Sequence, residues 1–192
     1  MPHIFTLFAL ISIIFSQQYL PKERGYLPTC DLFMTNIARS GDTDFWKVDG
    51  DGWATVSSAY PVRPNAVTKV TFKLVNSNHY MFGVGTAQFN SNLESQYVGN
   101  FAKSVSYHTI NGEKYKSGDA IDYASTSMAG DNITMIVDLR AYRNTLSFEK
   151  NGLSMGTAFG GLNVWGADIY IMLFSIGTLG HRVSITDYQV IE

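Results

Sequence analysis

Apolar and polar residues alternate in several short segments of this chain. Residues 69–74, 145–149 and 183–186 place an apolar residue at every second position, which is the period of a β-strand with one buried face. Residues 133–137 and 169–174 are apolar on both faces, a pattern typical of inner strands covered on both sides. After residue 28 no apolar stripe with the helical period extends beyond two turns. The pattern therefore predicts an all-β domain.

Turn-forming residues separate these segments. Pairs of glycine with asparagine or aspartate recur about every ten residues, which indicates a β-sandwich or barrel. The sharpest signal is Asn151-Gly152, because this dipeptide favours the positive φ angles of a type I′ hairpin turn. We expect Phe148 and Phe159 to anchor the two paired strands in the core.

The N-terminal part has a different pattern. Residues 4–15 form an apolar run that only Thr6 and Ser12 interrupt. A membrane-spanning helix needs about 20 apolar residues, and a core strand takes about 4–8. The length fits the apolar region of a secretory signal peptide, with Ser16 before the cleavage site and Gln17 as the first mature residue.

Other interpretations of this run stay open, since His3 and the amino terminus are the only basic groups before it. They are an uncleaved membrane anchor, a mistaken start, and a stretch that packs on the domain. We therefore divide the chain into a leader at 1–16, a polar connector at 17–29 and a β-sandwich domain at 30–192. A cleaved leader would direct the domain to the secretory pathway or outside the cell, and an uncleaved one would attach it to a membrane.

Composition and charge remove several classes of protein. The chain is 45% hydrophobic, 14% aromatic and only 16% charged, which excludes a disordered tail and a coiled coil. The net charge is -2 and no run of Lys or Arg occurs, so we expect no nucleic-acid partner. Cys30 is the only cysteine. It can form neither an intrachain disulfide nor a cysteine zinc site, and it is typical of a small buried hydrophobe.

No constellation of catalytic residues is recognisable. The chain has neither a G-x-S-x-G elbow nor a P-loop, and Gly83-Val84-Gly85 has no helix signal after it. Four histidines are scattered along the sequence and none has a metal-binding spacing: His3, His79, His108 and His181. The sequence therefore predicts a protein that is not an enzyme and has no cofactor and no metal.

Two local patterns need a separate interpretation. Asp42, Asp44, Asp49 and Asp51 could ligate calcium, but the twelve-residue loop with its terminal Glu is absent. We therefore interpret these aspartates as turn residues. Asn132 begins the sequence Asn-Ile-Thr, which is a candidate site of N-glycosylation if the chain enters the secretory route.

Several segments together resemble the SPRY family. The most specific is 144–152 (NTLSFEKNG) followed by 155–159 (MGTAF), and 130–138 (GDNITMIVD) resembles the family's Gly-Asp-x-Ile block. Residues 80–85 (YMFGVG), 97–99 (YVG) and 168–173 (DIYIML) are similar to other SPRY strands, in the same order. The resemblance extends roughly from residue 53 to 188. It implies a bent sandwich of two antiparallel sheets, of the concanavalin-like jelly-roll type, with a partner-binding surface on variable loops. Most members of the family are intracellular, so it implies a cytoplasmic protein if the leader is not a signal peptide.

The leading functional hypothesis is therefore a non-catalytic module that binds a protein or short peptide through its loops. Aromatic residues and Arg dominate binding hot spots, and Asn-rich loops offer adaptable hydrogen bonding. Three regions, at 60–64, 88–96 and 175–181, and the residue next to the second of them supply the candidate partner-binding residues. The candidates are Tyr60, Arg63, Asn90, Asn92, Tyr97, Thr178 and His181.

Two alternatives belong to other classes. A lectin-like module would bind a glycan on an aromatic platform beside Asn or Asp, which Trp165 with Asn163 and Asp168 could supply. A structural surface or envelope protein would self-associate and bind no defined ligand. The sequence does not identify the partner.

Overall fold

The computed structural model describes Tyr19, Leu27 and residues 36–86, 97–162 and 170–192, with the backbone alone at 170–173. The described residues form thirteen strands and no helix that is long and apolar enough to cross a membrane. The strands are β1 (Ile37–Ser40), β2 (Asp44–Lys47), β3 (Ala54–Ser57), β4 (Val67–Leu74), β5 (Tyr80–Thr86), β6 (Ser104–His108), β7 (Glu113–Lys116), β8 (Asp119–Asp122), β9 (Asn132–Asp138), β10 (Thr145–Lys150), β11 (Leu153–Phe159), β12 (Tyr170–Ile176) and β13 (Arg182–Ile191). The predicted all-β class is confirmed.

Two antiparallel sheets contain these strands. The seven-stranded sheet has the order β1-β2-β13-β4-β9-β10-β11, and the six-stranded sheet has the order β3-β12-β5-β6-β7-β8. Every pairing between neighbours is antiparallel. The two sheets enclose one main core, so the predicted sandwich is confirmed.

The registers place the connections alternately at two ends of the sandwich. Every odd-numbered strand begins at one end of the sandwich, and every even-numbered strand finishes at that same end. For example, β12 finishes at Ile176, which pairs with Tyr80 at the start of β5 and with Ala54 at the start of β3. We call this end A. Its connections are 48–53, 75–79, 109–112, 123–131, 151–152 and 177–181. The opposite end, end B, includes 58–66 and 139–144.

Alternating residues of the strands fill the core. Val70, Phe72 and Leu74 of β4 are fully buried while the polar residues between them face outwards, as the sequence predicts. The ring of Phe72 stacks on Phe82 of the other sheet, with centroids 4.4 Å apart. Burying such side chains contributes roughly 1.5–3 kcal/mol each relative to exposure. The apolar alternation in the sequence therefore determines which face of each strand packs inwards.

The strand β9 differs from its prediction. Residues 133–137 were expected to be covered on both faces, but only Ile133, Met135 and Val137 are buried, and Ile136 is half-exposed. The cause is that the outer face of the seven-stranded sheet is open to solvent at this point. The β5 strand of the other sheet is instead buried on both faces.

The hairpin predicted at Asn151-Gly152 joins β10 to β11. The φ angles of these two residues are +53° and +79°, which is the left-handed pair that a type I′ turn requires. Phe148 is fully buried, and Phe159 is half-buried against the main core. The predicted hairpin and its anchors are therefore confirmed.

The N-terminal predictions fall largely outside the described residues, including the leader at 1–16 and Cys30. Within the predicted connector, Leu27 is buried and belongs to the main core. The core thus takes a side chain from before residue 30. The domain boundary at that position stays a prediction.

Candidate functional site

End A carries most of the exposed apolar side chains. Nine large hydrophobic residues are exposed in the described part of the chain. Five of them lie in end-A connections, and a sixth, Leu153, begins β11 directly after the end-A hairpin turn. We call these six residues the apolar rim: Val48, Val75, Ile110, Met128, Leu153 and Leu179. A contiguous apolar surface built from such residues would be typical of an interaction site.

A cavity of about 300 Å³ opens at end A on the outer side of the seven-stranded sheet. Trp46, Asn76, Gly180 and Arg182 line it. The guanidinium carbon of Arg182 lies 5.7 Å from the centroid of the Trp46 ring, and its Nη2 lies 2.8 Å from Oδ2 of Asp44. The Asn76 amide donates to the Gly180 carbonyl at 3.0 Å and accepts from the Arg182 amide at 2.8 Å. These bonds hold the cavity wall in one shape.

An aromatic and histidine cluster lies on the outer side of the six-stranded sheet at end A. The ring of Trp53 is 4.7 Å from His79, 5.5 Å from His108 and 5.4 Å from Tyr97. Tyr115 completes the cluster at 5.8 Å from both Tyr97 and His108. Together with Met81 and Val98, these aromatic residues form a second small core that covers this sheet. The covering explains why β5 is buried on both faces.

His108 has an unusual environment within this cluster. Its side chain is buried, and neither ring nitrogen has a hydrogen-bond partner among the described residues. Burial, with the nearby His79 as a smaller cause, lowers the pKa of His108 to about 4, because an imidazolium would lose its hydration there. His108 is therefore neutral at pH 7.

Two more histidines hold the connection 177–181. His79 Nδ1 lies 2.9 Å from the Thr178 hydroxyl, and His181 Nδ1 lies 2.6 Å from the Ser77 hydroxyl. Burial lowers the pKa of both histidines; the charge of Lys47 lowers that of His79 further, and the charges of His79 and Lys47 lower that of His181 further. The connection 177–181 therefore touches both sites, because its Gly180 lines the cavity and its Thr178 contacts the histidine cluster.

The structure brings three of the predicted partner-binding residues to one region. Thr178 and His181 lie in the end-A connection 177–181. Tyr97 lies in the connection between β5 and β6 and contacts Trp53, which in turn contacts His79, the partner of Thr178. Whether these residues bind a partner stays a prediction.

The other two predicted anchors lie at end B. Tyr60 and Arg63 belong to the connection 58–66. Tyr60 is half-buried against the main core, and Arg63 Nε lies 4.0 Å from Glu192 Oε1, beyond the far end of β13. His181 immediately precedes β13, whose ten residues span about 30 Å. A short peptide bound at one of these ends would therefore not reach the other.

Several remaining candidates cannot be placed. Asn90 and Asn92 lie outside the described residues, as do the lectin-type candidates Asn163, Trp165 and Asp168. Asn132 is exposed at the start of β9 at end A, where its amide donates to Oδ1 of Asn151 at 2.8 Å. Glycosylation at this residue stays a prediction.

The aspartates near residue 45 are used within the fold. Asp44 accepts hydrogen bonds from Arg182 and Ser184, which hold the pKa of its carboxyl below the usual range although partial burial acts in the opposite direction. Asp49 accepts from the Gly50 amide at 2.7 Å, as a turn residue does. Among the residues the structure describes, no three His, Cys, Asp or Glu side chains are placed to hold one metal ion.

Sequence reasoning missed most of the residues that shape end A. Trp46, Asn76 and Arg182 are separated by up to 136 positions (182 minus 46) and have no motif in common. A usable signal exists in the connections, because in an alternating antiparallel sandwich every second connection lies at the same end. Reading that signal needs all the strands to be counted, and the sequence pattern identifies only some of them.

Solved SPRY domains have the same architecture. The SPRY domain of human HERC1 superimposes with a TM-score of 0.68 at 19% sequence identity, over 83% of this chain and 97% of that chain. A second human SPRY domain gives a TM-score of 0.64 at 17% identity, over 79% of this chain and 95% of that chain. No family model and no curated protein matches the sequence. SPRY domains are typically non-catalytic protein-interaction modules. The resemblance predicted from the sequence is confirmed in the fold: this chain folds as a SPRY-type sandwich of two antiparallel sheets.

Proposed function

We propose that this protein is an interaction module that binds a short apolar segment of a partner protein at end A. The typical role of SPRY domains supports an interaction function. Fold alone does not identify the binding surface. The choice of end A rests on the side chains that the connections expose there.

The distribution of exposed apolar side chains carries the proposal. Six of the nine such residues in the described part of the chain lie at end A. Leaving them in water loses the favourable free energy of burial, about 25 cal/mol for each Å². Met128, Leu153 and Leu179 are the most exposed residues of the apolar rim. A partner segment that covers one of them would recover that free energy.

The cavity beside Arg182 adds an anchor point. Its volume of about 300 Å³ can admit one large side chain of a partner. The Trp46 ring and the Arg182 guanidinium in its wall are of the residue types that dominate binding hot spots. The Arg182 side chain is held by its ion pair with Asp44, and the Arg182 amide donates to Asn76, so that binding would cost little ordering of this side chain.

Peptides selected from a displayed random library on the purified chain test this proposal. Their affinities are measured by fluorescence anisotropy on the chain and on the double variant Met128→Asp/Leu179→Asp. We expect the double variant to lose about tenfold or more in affinity, since each apolar anchor contributes about 1 kcal/mol or more. The matched control is Tyr142→Asp/Ile191→Asp, which adds the same charge at exposed residues near end B and should bind normally.

The predicted anchors at end B, Tyr60 and Arg63, test the alternative binding site. Tyr60→Ala/Arg63→Ala should change the affinity less than about twofold, which is within the range of residues outside an interface. A large loss in this variant, with normal binding by the end-A variant, would place the partner at end B and refute the proposal. A third outcome is that no peptide is selected and the chain forms a dimer in gel filtration. If Met128→Asp/Leu179→Asp abolishes that dimer, end A serves self-association instead.

A further inference from the structure

Three of the four histidines of the chain converge beside the connection 177–181. The rings of His79 and His108 are 5.3 Å apart, and both contact Trp53. His181 lies at the end of the same connection, with its ring 6.2 Å from Tyr80. These residues are far apart in the sequence, so only the fold brings their titratable rings into one region.

The connection depends on these histidines for its position. His79 bonds the Thr178 hydroxyl, and the Gly177 amide donates to the His79 carbonyl at 3.1 Å. The Gly177 backbone also packs directly on the His79 ring, because a Cβ at this glycine would lie only 2.7 Å from Cε1. His181 bonds Ser77, whose hydroxyl accepts the His79 amide at 3.1 Å.

The surroundings favour neutral histidines. Lys47 of β2 is buried, its ammonium bonds the Gly52 carbonyl, and its charge acts on both His79 and His181. The Gly180 amide donates to the Lys47 carbonyl at 2.9 Å. A second positive charge in this region would face the ammonium across a partly desolvated space, where charges interact more strongly than in water.

The nearby carboxylates are already engaged. Glu113 of β7 accepts from the Tyr115 hydroxyl at 2.7 Å and from Asn111. Asp44 of β2 accepts from Arg182 and Ser184. Among the described residues, the phenols of Tyr80, Tyr97 and Tyr115 also lie around the rings. None of the described neighbours that shift the three histidines is an anion.

We propose that mild acid charges this histidine cluster, loosens the connection 177–181 and thereby weakens binding at end A. The inference rests on the proposed function only in its last step, because loosening of the connection needs no partner. Leu179 of the apolar rim lies within the connection, so its position changes with it.

The direction with pH follows from the buried rings. All three pKa values lie below the ordinary histidine value of 6.5, and that of His108 is about 4. The native arrangement is therefore complete above pH 6.5. It is lost progressively as the pH falls towards 4, because the state with a loosened connection binds protons that the native arrangement does not bind.

Amide exchange measured by NMR on the full chain tests the inference without a partner. We expect the protection of the Gly177 and Gly180 amides to fall about tenfold or more between about pH 7 and pH 5, after correction for the intrinsic rate. The Arg143 amide at end B, which donates to the Arg140 carbonyl at 3.0 Å, serves as the internal control and should keep its protection. Unchanged protection of the two glycine amides would overturn the inference.

Two variants make the result specific. His79→Gln/His181→Gln should remove the pH dependence, because glutamine keeps hydrogen-bonding capacity without titrating. Lys47→Met should weaken the pH dependence, since without this cation the native arrangement binds protons more readily and differs less from the loosened one. If the double variant keeps the full effect, or if Lys47→Met enlarges it, the histidines are not its cause. Failure of the peptide experiment at pH 7 with a normal exchange result would refute the proposed function alone.

Discussion

His108 makes the stability of this domain depend on pH in a way that one substitution can isolate. The side chain is buried without hydrogen bonds among the described residues, and its pKa is lowered to about 4. In the unfolded chain the pKa returns to about 6.5. Between these values the unfolded state binds a proton that the native state does not. The free energy of unfolding therefore falls as the pH is lowered.

The magnitude follows from the size of the shift. A lowering from 6.5 to about 4 corresponds to about 3 kcal/mol of stability lost by pH 4. A small domain is stable by only about 5–15 kcal/mol, so this single group accounts for a large part of the acid sensitivity. Phenylalanine at position 108 cannot titrate. When the pH is lowered from 7 to 4, we expect the free energy of unfolding of His108→Phe to fall by about 3 kcal/mol less than that of the natural chain.

Urea denaturation at several pH values between about 7 and 4 measures this difference. The control is Tyr107→Phe, which removes the hydroxyl that bonds Ser125 and Ser127 at 2.9 and 3.0 Å. Burial raises the pKa of Tyr107, so the control should lower stability by the same amount at every pH. A difference between the natural chain and His108→Phe that stays constant from pH 7 to 4 would refute the reasoning.

Further predictions concern the hairpin and the secretory features. Gly152→Ala should cost about 1–2 kcal/mol in urea denaturation because its φ is +79°, whereas Gly160→Ala, with open space around the added Cβ, should cost less than about 0.5 kcal/mol; equal costs would contradict the turn assignment. In a secreting eukaryotic cell we expect mass spectrometry to find Gln17 as the first residue, and an intact Met1 would exclude cleavage after Ser16. The same secreted chain should carry a glycan that Asn132→Gln removes, and an unchanged mass in that variant would show that Asn132 is not modified.

Local features of the fold were predictable because their causes are local. The alternation in residues 69–74 already determines which face of β4 is buried, since successive side chains of a strand point to opposite sides. The turn at Asn151-Gly152 was predictable for the same reason, because these two residues adopt positive φ at low cost. The covering of a strand's outer face is not local. Ile136 was predicted to be buried and is half-exposed, because whether anything packs over β9 depends on segments elsewhere in the chain.

Residues close together in the chain were enough to predict the all-β class, the hairpin and the resemblance to SPRY domains. The sequence also supplied Thr178 and His181 as candidates at end A, but without the residues that surround them. Only the tertiary structure placed Trp46 beside Arg182 and His79 beside His108, and it separated Tyr60 and Arg63 from Thr178 and His181 by the length of β13. The physical reason is that a site formed by connections depends on strand order and register. Those are decided by how two whole sheets pack, and no single segment contains that information.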